Sequence, residues 1–164
     1  MRGEYAEIVE GLFAGEGCIE PPSIDAVVCL EPSCRVKVGG AEEYCYPIMD
    51  GSVEPLEKFV EALLKLMELL DRGMRVYVHC MAGCGRTGTL VAGYLILRRG
   101  LSAEEAVGLF RWRRGCGPET WEQFEFLYAL EHLVRRIGVD AAINLLGSSR
   151  DLGEFLGKAR EAAG

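Results

Sequence analysis

The sequence has only two histidines, His79 and His132, among 164 residues. Its seven cysteines are scattered without the paired spacing of zinc ligands, and no third ligand lies near His79, Cys80 and Cys84, so no metal site is expected. The odd cysteine count also fails to suggest a secreted disulfide framework. The cysteines are therefore expected to be reduced and the protein cytoplasmic. No run of 18 or more apolar residues is present, which excludes a membrane-spanning helix. The opening Met1-Arg2-Gly3-Glu4 has no apolar signal region. Lysine is scarce, and the net charge of −7 argues against general binding to nucleic acid or anionic membranes. Repeats and low-complexity linkers are absent. What remains is an ordinary soluble composition, 49% hydrophobic and 26% charged, in a chain long enough for one well-buried core.

Glycine, by contrast, is plentiful, with 21 residues placed mainly at turns and helix ends. Three of them fall in the most informative stretch, Val78-His79-Cys80-Met81-Ala82-Gly83-Cys84-Gly85-Arg86-Thr87-Gly88. The β-rich run Arg75–His79 leads into it, and the apolar helical run Thr89–Leu97, ended by Gly100, follows it. A strand, a glycine-bearing loop and a helix N-terminus together make a cradle for a tetrahedral phosphate. The backbone N–H groups of Met81, Ala82, Gly83, Cys84 and Gly85 can converge on its oxygens. Gly83 and Gly85 permit the positive φ that so tight a loop needs. The helix N-terminus adds partial positive charge, and Arg86 can hold two oxygens with its planar fork. Cys80, at the base, is a candidate nucleophile in the kind of field that favours thiolates.

Such a nucleophile needs a proton donor for the leaving oxygen. Apolar residues at Leu56, Phe59, Val60, Leu63, Met67 and Leu70 recur at helical spacing, so Glu54–Asp71 reads as an amphipathic helix. The chain turns at Gly73 and returns as the strand ending at Cys80. The start of the helix and the end of the strand therefore share one edge of the sheet, where ligand sites of open α/β folds lie. Asp50, in Tyr46-Pro47-Ile48-Met49-Asp50-Gly51-Ser52, sits on the loop at that edge and is the candidate general acid; a plain Asp-Gly turn is the alternative. Glu54 is the fallback, better suited to complementing the helix N-terminus.

The motif His79-Cys80-x-x-Gly83-x-x-Arg86-Thr87-Gly88 resembles the signature of the cysteine-dependent protein tyrosine phosphatase superfamily. It is most similar to small dual-specificity-type enzymes, particularly compact archaeal ones, over roughly residues 5 to 136. The resemblance implies a Cys80 nucleophile, Arg86 as phosphate clamp, Asp50 as acid and a Thr87 hydroxyl that assists the departing thiolate. It further implies that His79 organises the loop and favours the Cys80 thiolate. For Gln123, in the loop Gly115–Gln123, it implies positioning of the hydrolytic water; an exposed helix residue is the competing reading. Arg111, Arg113 and Arg114 either lend the mouth of the site positive potential or form a solvated helix end. Cys84, or Cys29 at the end of the strand Ala26–Leu30, either traps oxidised Cys80 as a disulfide or fills core space.

The expected fold is a single α/β domain, a central mixed sheet flanked by helices, like that of protein tyrosine phosphatases. Strands are expected at Tyr5–Ala14, Ala26–Leu30 and Tyr44–Ile48, and helices at Ser102–Arg113, with Ser102 and Glu105 as a capping box, and around Phe124–Val134. Residues 1–137 form the catalytic domain, and 138–164 a helical extension packed on it as two short helices. The expected activity is hydrolysis of phosphotyrosine, and of phosphoserine or phosphothreonine if the pocket is shallow, in phosphorylated protein partners. It needs no cofactor, and the enzyme is expected to be a monomer. Relatives that act on phosphoinositides often carry cations inside the loop, where this chain has Met81 and Cys84. Two other readings stand: a non-catalytic phosphoprotein-binding module, and a sulfurtransferase or arsenate reductase built on the same cysteine loop.

Overall fold

The computed structural model describes residues 3–163, so Met1 and Arg2 of the N-terminal reading lie outside it. Five strands form one mixed sheet: β1 Tyr5–Val9, β2 Leu12–Gly15, β3 Ala26–Cys29, β4 Glu42–Cys45 and β5 Val76–His79. Their spatial order is β1-β2-β5-β3-β4, with β1 antiparallel to β2 and all other pairs parallel. Six helices follow or intervene: α1 Leu56–Asp71, α2 Gly85–Arg99, α3 Ala103–Arg114, α4 Trp121–Ile137, α5 Val139–Gly147 and α6 Leu152–Ala163.

The strand at Tyr5–Ala14 is in fact a hairpin. Gly11, at φ +81°, turns the chain after Val9, so β1 and β2 pair with each other. The apolar residues Val9 and Leu12 on either side of that turn made the segment read as one run. β4 also begins and ends earlier than expected, because residues 46–49 leave the sheet and cross its edge toward the acid loop.

Strand β5 is central and wholly buried. The four parallel strands end in one register row, Gly15, His79, Cys29 and Cys45. This is the carboxyl edge from which a ligand site of an open α/β sheet is built. One sheet face carries Ala14, Ala26, Val28, Val76 and Val78 into the main core. The other face, with Phe13, Val27 and Tyr77, is closed by Ile24 and Val36 from loops rather than by a helix.

Helix α2 is the hub of the main core. It is buried along nearly its whole length, and at Gly93 it approaches Leu63 of α1 and Leu130 of α4. It stops at Gly100, which adopts the left-handed conformation at φ +67°, while Arg98 and Arg99 in the last turn oppose the helix dipole. Helix α3 starts with the Ser102/Glu105 capping box, both hydrogen bonds formed. The extension joins the same core: Ala142, Leu146, Leu152 and Phe155 are buried, and Phe155 lies 5.5 Å from Phe126, which in turn lies 5.0 Å from Phe59. Each such ring pair adds about 0.5–1.5 kcal/mol beyond burial itself.

Cysteine pairing differs from the reduced state expected. Two cysteine pairs, Cys18–Cys34 and Cys84–Cys116, lie within bridging distance, with Cα separations of 5.1 and 5.4 Å, the second closed as a disulfide, and Cys29, Cys45 and Cys80 are free thiols. The partners are 16 and 32 residues apart, so only the fold brings them within bridging distance. Closing the larger loop restricts the unfolded chain, and Cys116→Ser should cost about 3–4 kcal/mol of stability. Denaturant unfolding under oxidising conditions measures this, and addition of dithiothreitol should remove the difference due to this bridge.

Candidate active site

The catalytic loop leaves β5 at His79 and enters α2 at Gly85. Gly83 takes φ +71°, a conformation that glycine alone adopts without strain. A side chain there would also collide with the backbone of Gly15 at the end of β2. Gly17, just beyond, lies against the carbonyls of Cys34 and Cys80, and its N–H donates to Met81 O at 3.0 Å. The end of β2 is thus a glycine-lined support under the loop. Cys80 is buried at its base.

His79 is fully buried, and burial pushes its pKa below the ordinary histidine value. It lies 3.1 Å from Cys80 O through Nδ1; since a carbonyl only accepts, Nδ1 carries the proton. His79 therefore acts on the loop backbone, and its neutral ring adds no formal charge beside the thiol. Thr87 is also fully buried, on the first turn of α2, and its hydroxyl has no hydrogen-bond partner among the described residues.

Arg86 connects both halves of the site. Its Nη1 donates to Ile48 O at 2.9 Å and to Glu31 Oε2 at 3.1 Å. Its Nε lies 3.6 Å from Asp50 Oδ1 and makes no hydrogen bond among the described residues. The guanidinium is thus moored by one nitrogen and keeps its Nε–H for a ligand. Glu31 is itself held down at about 2 by hydrogen bonds from Ser33 and, after these, by Arg86. It remains a carboxylate across any working pH. The sequence alone does not single out Glu31, although it lies two residues past the β3 end that faces this edge.

Asp50 stands in solvent, with its side chain 87% exposed. Its loop is nonetheless tied down. Ile48 N bonds Leu30 O, Thr120 Oγ1 bonds Gly51 O, and Val53 N bonds Glu122 Oε2. Glu54 is committed elsewhere: its two carboxylate oxygens accept from Leu56 N at the start of α1 and Leu152 N at the start of α6. That removes it as a fallback acid and makes it a double helix cap.

Gln123 is not an exposed helix residue. It is 0% exposed, and its Oε1 accepts from Glu119 N and Thr120 N in the capping box that starts α4. Its Nε2 lies beside Gly85, at the rim of the loop, with no hydrogen-bond partner among the described residues. Of the three arginines upstream, Arg111 and Arg113 are exposed and only Arg114 is buried. Arg111 donates to Pro118 O and lies over Phe124, Arg113 lies over Trp112, and Arg114 is buried with Nη2 2.8 Å from Ala82 O.

The bridge to Cys116 withdraws Cys84 as a thiol that could trap oxidised Cys80. Cys29 lies in register with His79 on one side and Cys45 on the other. Burial, then the hydrogen bond with Cys45, push its thiol up to about 12, so it stays protonated.

A strand that ends at a cysteine, a glycine loop and an arginine that reaches the facing Asp50 loop are thus brought together on one sheet edge. Residues 15–133 match the family described as dual specificity phosphatase, catalytic domain. The chain belongs to this dual specificity phosphatase family. Among solved structures, Tk-PTP in its active form superposes with a TM-score of 0.68 at 29% identity, over 80% of this chain and 98% of that one. The human tyrosine phosphatase-like serine/threonine/tyrosine-interacting protein gives a TM-score of 0.71 over 82% of this chain and 99% of that one; at 21% identity the likeness is one of fold. Among curated relatives, the phosphatidylinositol 3,4,5-trisphosphate 3-phosphatase ptn1 of Schizosaccharomyces pombe is 34% identical over 54% of this chain. Human dual specificity protein phosphatase 4 is 27% identical over 69% of this chain. These two relatives are longer proteins, of which the alignments span 27% and 31%. No helix of the described residues is long and apolar enough to cross a membrane.

Proposed function

We propose that this dual specificity phosphatase hydrolyses phosphate monoesters on protein side chains in two steps through a phosphocysteine. The observation that carries the reading is Arg86, which reaches the Ile48–Asp50 loop from the helix that follows Cys80. In the first step the Cys80 thiolate attacks phosphorus and the bond to the side-chain oxygen breaks. Asp50 gives its proton to that oxygen. In the second step Asp50, now a carboxylate, takes a proton from water as the water attacks phosphorus. The sulfur–phosphorus bond breaks, releasing inorganic phosphate and restoring the thiolate. Arg86 and the loop amides hold the equatorial oxygens throughout. The uncommitted Thr87 hydroxyl is available to donate to sulfur as it departs. Gln123 Nε2, buried at the loop rim, is the group available for orienting water, although its carbonyl is already spent on the α4 cap.

A protein substrate is favoured over a multiply phosphorylated lipid headgroup by the make-up of the loop itself: Met81 and the bridged Cys84 bring it no charge, and Arg114 is turned inward to Ala82 O. Phosphotyrosine is the first substrate to test, with phosphoserine and phosphothreonine peptides beside it.

Asp50→Ala should separate acid catalysis from nucleophilic attack. With an alkyl or phenyl ester, kcat should drop on the order of 10²–10⁴-fold, the usual contribution of general acid–base catalysis. With p-nitrophenyl phosphate, whose leaving group needs little protonation, the loss should be much smaller. Steady-state kinetics across a series of leaving groups reads this directly. Equal losses across the series would remove Asp50 from the role.

A further inference from the structure

Three successive carbonyls of the catalytic loop are anchored from outside the loop. Cys80 O accepts from His79 Nδ1 at 3.1 Å, Met81 O from Gly17 N–H at 3.0 Å, and Ala82 O from Arg114 Nη2 at 2.8 Å. In a trans peptide the carbonyl and the following N–H point in opposite directions. Each anchor therefore fixes the direction of one amide: Met81, Ala82 and Gly83 in turn. The first two anchors come from a neighbouring side chain and from backbone. The third is a guanidinium 32 residues away in sequence.

Arg114 is an unusual residue to find there. It is 1% exposed, the largest of the fully buried side chains, and Nη1 is engaged with Gly3 O. Burying a guanidinium is costly unless its donors are satisfied. Gly115 follows in the left-handed conformation, φ +82°, and Cys116 then bridges to Cys84. The short segment Arg114-Gly115-Cys116 thus grips the loop on both sides of Gly83, at Ala82 and at Cys84. Gly83 is the loop residue with positive φ, so its peptide has the least steric reason of its own to hold one orientation.

We propose that Arg114 is a positioning residue that turns the Ala82–Gly83 peptide, so that Gly83 N–H faces the phosphoryl group and completes the oxyanion cradle. The inference rests on the reading of this loop as the phosphate site. Arg114 touches no substrate; it acts through the Ala82 carbonyl.

The test uses the Cys80→Ser protein, which binds oxyanions without turnover, and tungstate as probe. Amide ¹H–¹⁵N shifts and calorimetric affinity are followed together. In this parent, tungstate should move the amides of Met81, Ala82 and Gly83. Adding Arg114→Met should weaken tungstate binding on the order of tenfold, the scale of one charge-assisted hydrogen bond, and abolish the Gly83 shift. Arg114→Lys, which keeps one donor, should recover part of both. A folded Arg114→Met protein with parental affinity and an unchanged Gly83 shift would overturn the proposal, whatever happens to its melting temperature. If Arg114→Met fails to fold, the parent decides: a Gly83 amide indifferent to saturating tungstate, while Met81 responds, also overturns it. A parent that binds no tungstate at any loop amide sinks both this role and the phosphate-site reading beneath it.

Discussion

Cys80→Ser should lower kcat toward an aryl phosphate on the order of 10⁴-fold or more, the scale seen when a covalent nucleophile is removed. A serine hydroxyl at this position fits the same space but is far less acidic than a thiol and leaves phosphorus less readily. Its surroundings offer no rescue. His79 is turned to the Cys80 carbonyl and has no general-base contact with the side chain, and Asp50 is held at Arg86 on the other side of the loop. The amides and Arg86 stay in place, so oxyanion binding should persist while turnover is lost. Single-turnover assays with rapid acid quench should trap a phosphoenzyme in the wild type and none in the variant. Substantial steady-state turnover by Cys80→Ser would end the phosphocysteine mechanism. It would also end the rival readings as a sulfurtransferase or arsenate reductase, which depend on the same thiol. Those readings are separated from the phosphatase by thiosulfate and arsenate assays on the wild type.

Arg86→Lys is the second large effect, and it should look different. A guanidinium can be moored at one nitrogen and bind with the others; an ammonium has a single nitrogen. Here Nη1 is the mooring, shared between Ile48 O and Glu31, and Nε is the free donor. Lysine must give up one function or the other. If it serves Glu31, the transition-state charge loses its clamp. If it turns to phosphate, the partly buried Glu31 carboxylate and the Ile48 carbonyl lose their partner. Either way kcat should fall on the order of 10³-fold, about 4 kcal/mol in the barrier. Unlike Asp50→Ala, the loss should be about equal for good and poor leaving groups, because the clamp acts on the transferred phosphoryl group. A Brønsted plot of rate against leaving-group acidity distinguishes the two: steeper for Asp50→Ala, displaced but parallel for Arg86→Lys.

The parts of this site that were legible in the sequence are those written locally or fixed by element length. Cys80, Gly83, Arg86 and Thr87 lie within one strand–loop–helix passage, so eight residues carry their geometry. Asp50 could be placed because helix α1 and strand β5 return the chain to the edge it left. What could not be read depends on long-range meetings. Glu31 contacts Arg86 across 55 residues, and Arg114 reaches Ala82 across 32. By sequence Arg114 is one of three arginines at a charged helix end, and only its burial against the Ala82 carbonyl distinguishes it from the exposed Arg113. The cysteine pairs were missed for the same reason: spacing along the chain says nothing of which cysteines a sheet edge and a helix start will bring within bridging distance. The β1–β2 hairpin is a different case: its turn rests on the positive φ of Gly11, in a segment whose apolar residues run on both sides.

The carboxylate of Glu54 receives one N–H from α1 and one from α6, while its backbone carbonyl receives Met49 N–H next to the acid. Helix α6 therefore shares a residue with the loop that carries Asp50. Loosening α6 would therefore be felt at the loop that carries Asp50 while α2 and the sheet still stand, so a change made there, far along the chain from Cys80, would show in activity before it showed in global unfolding.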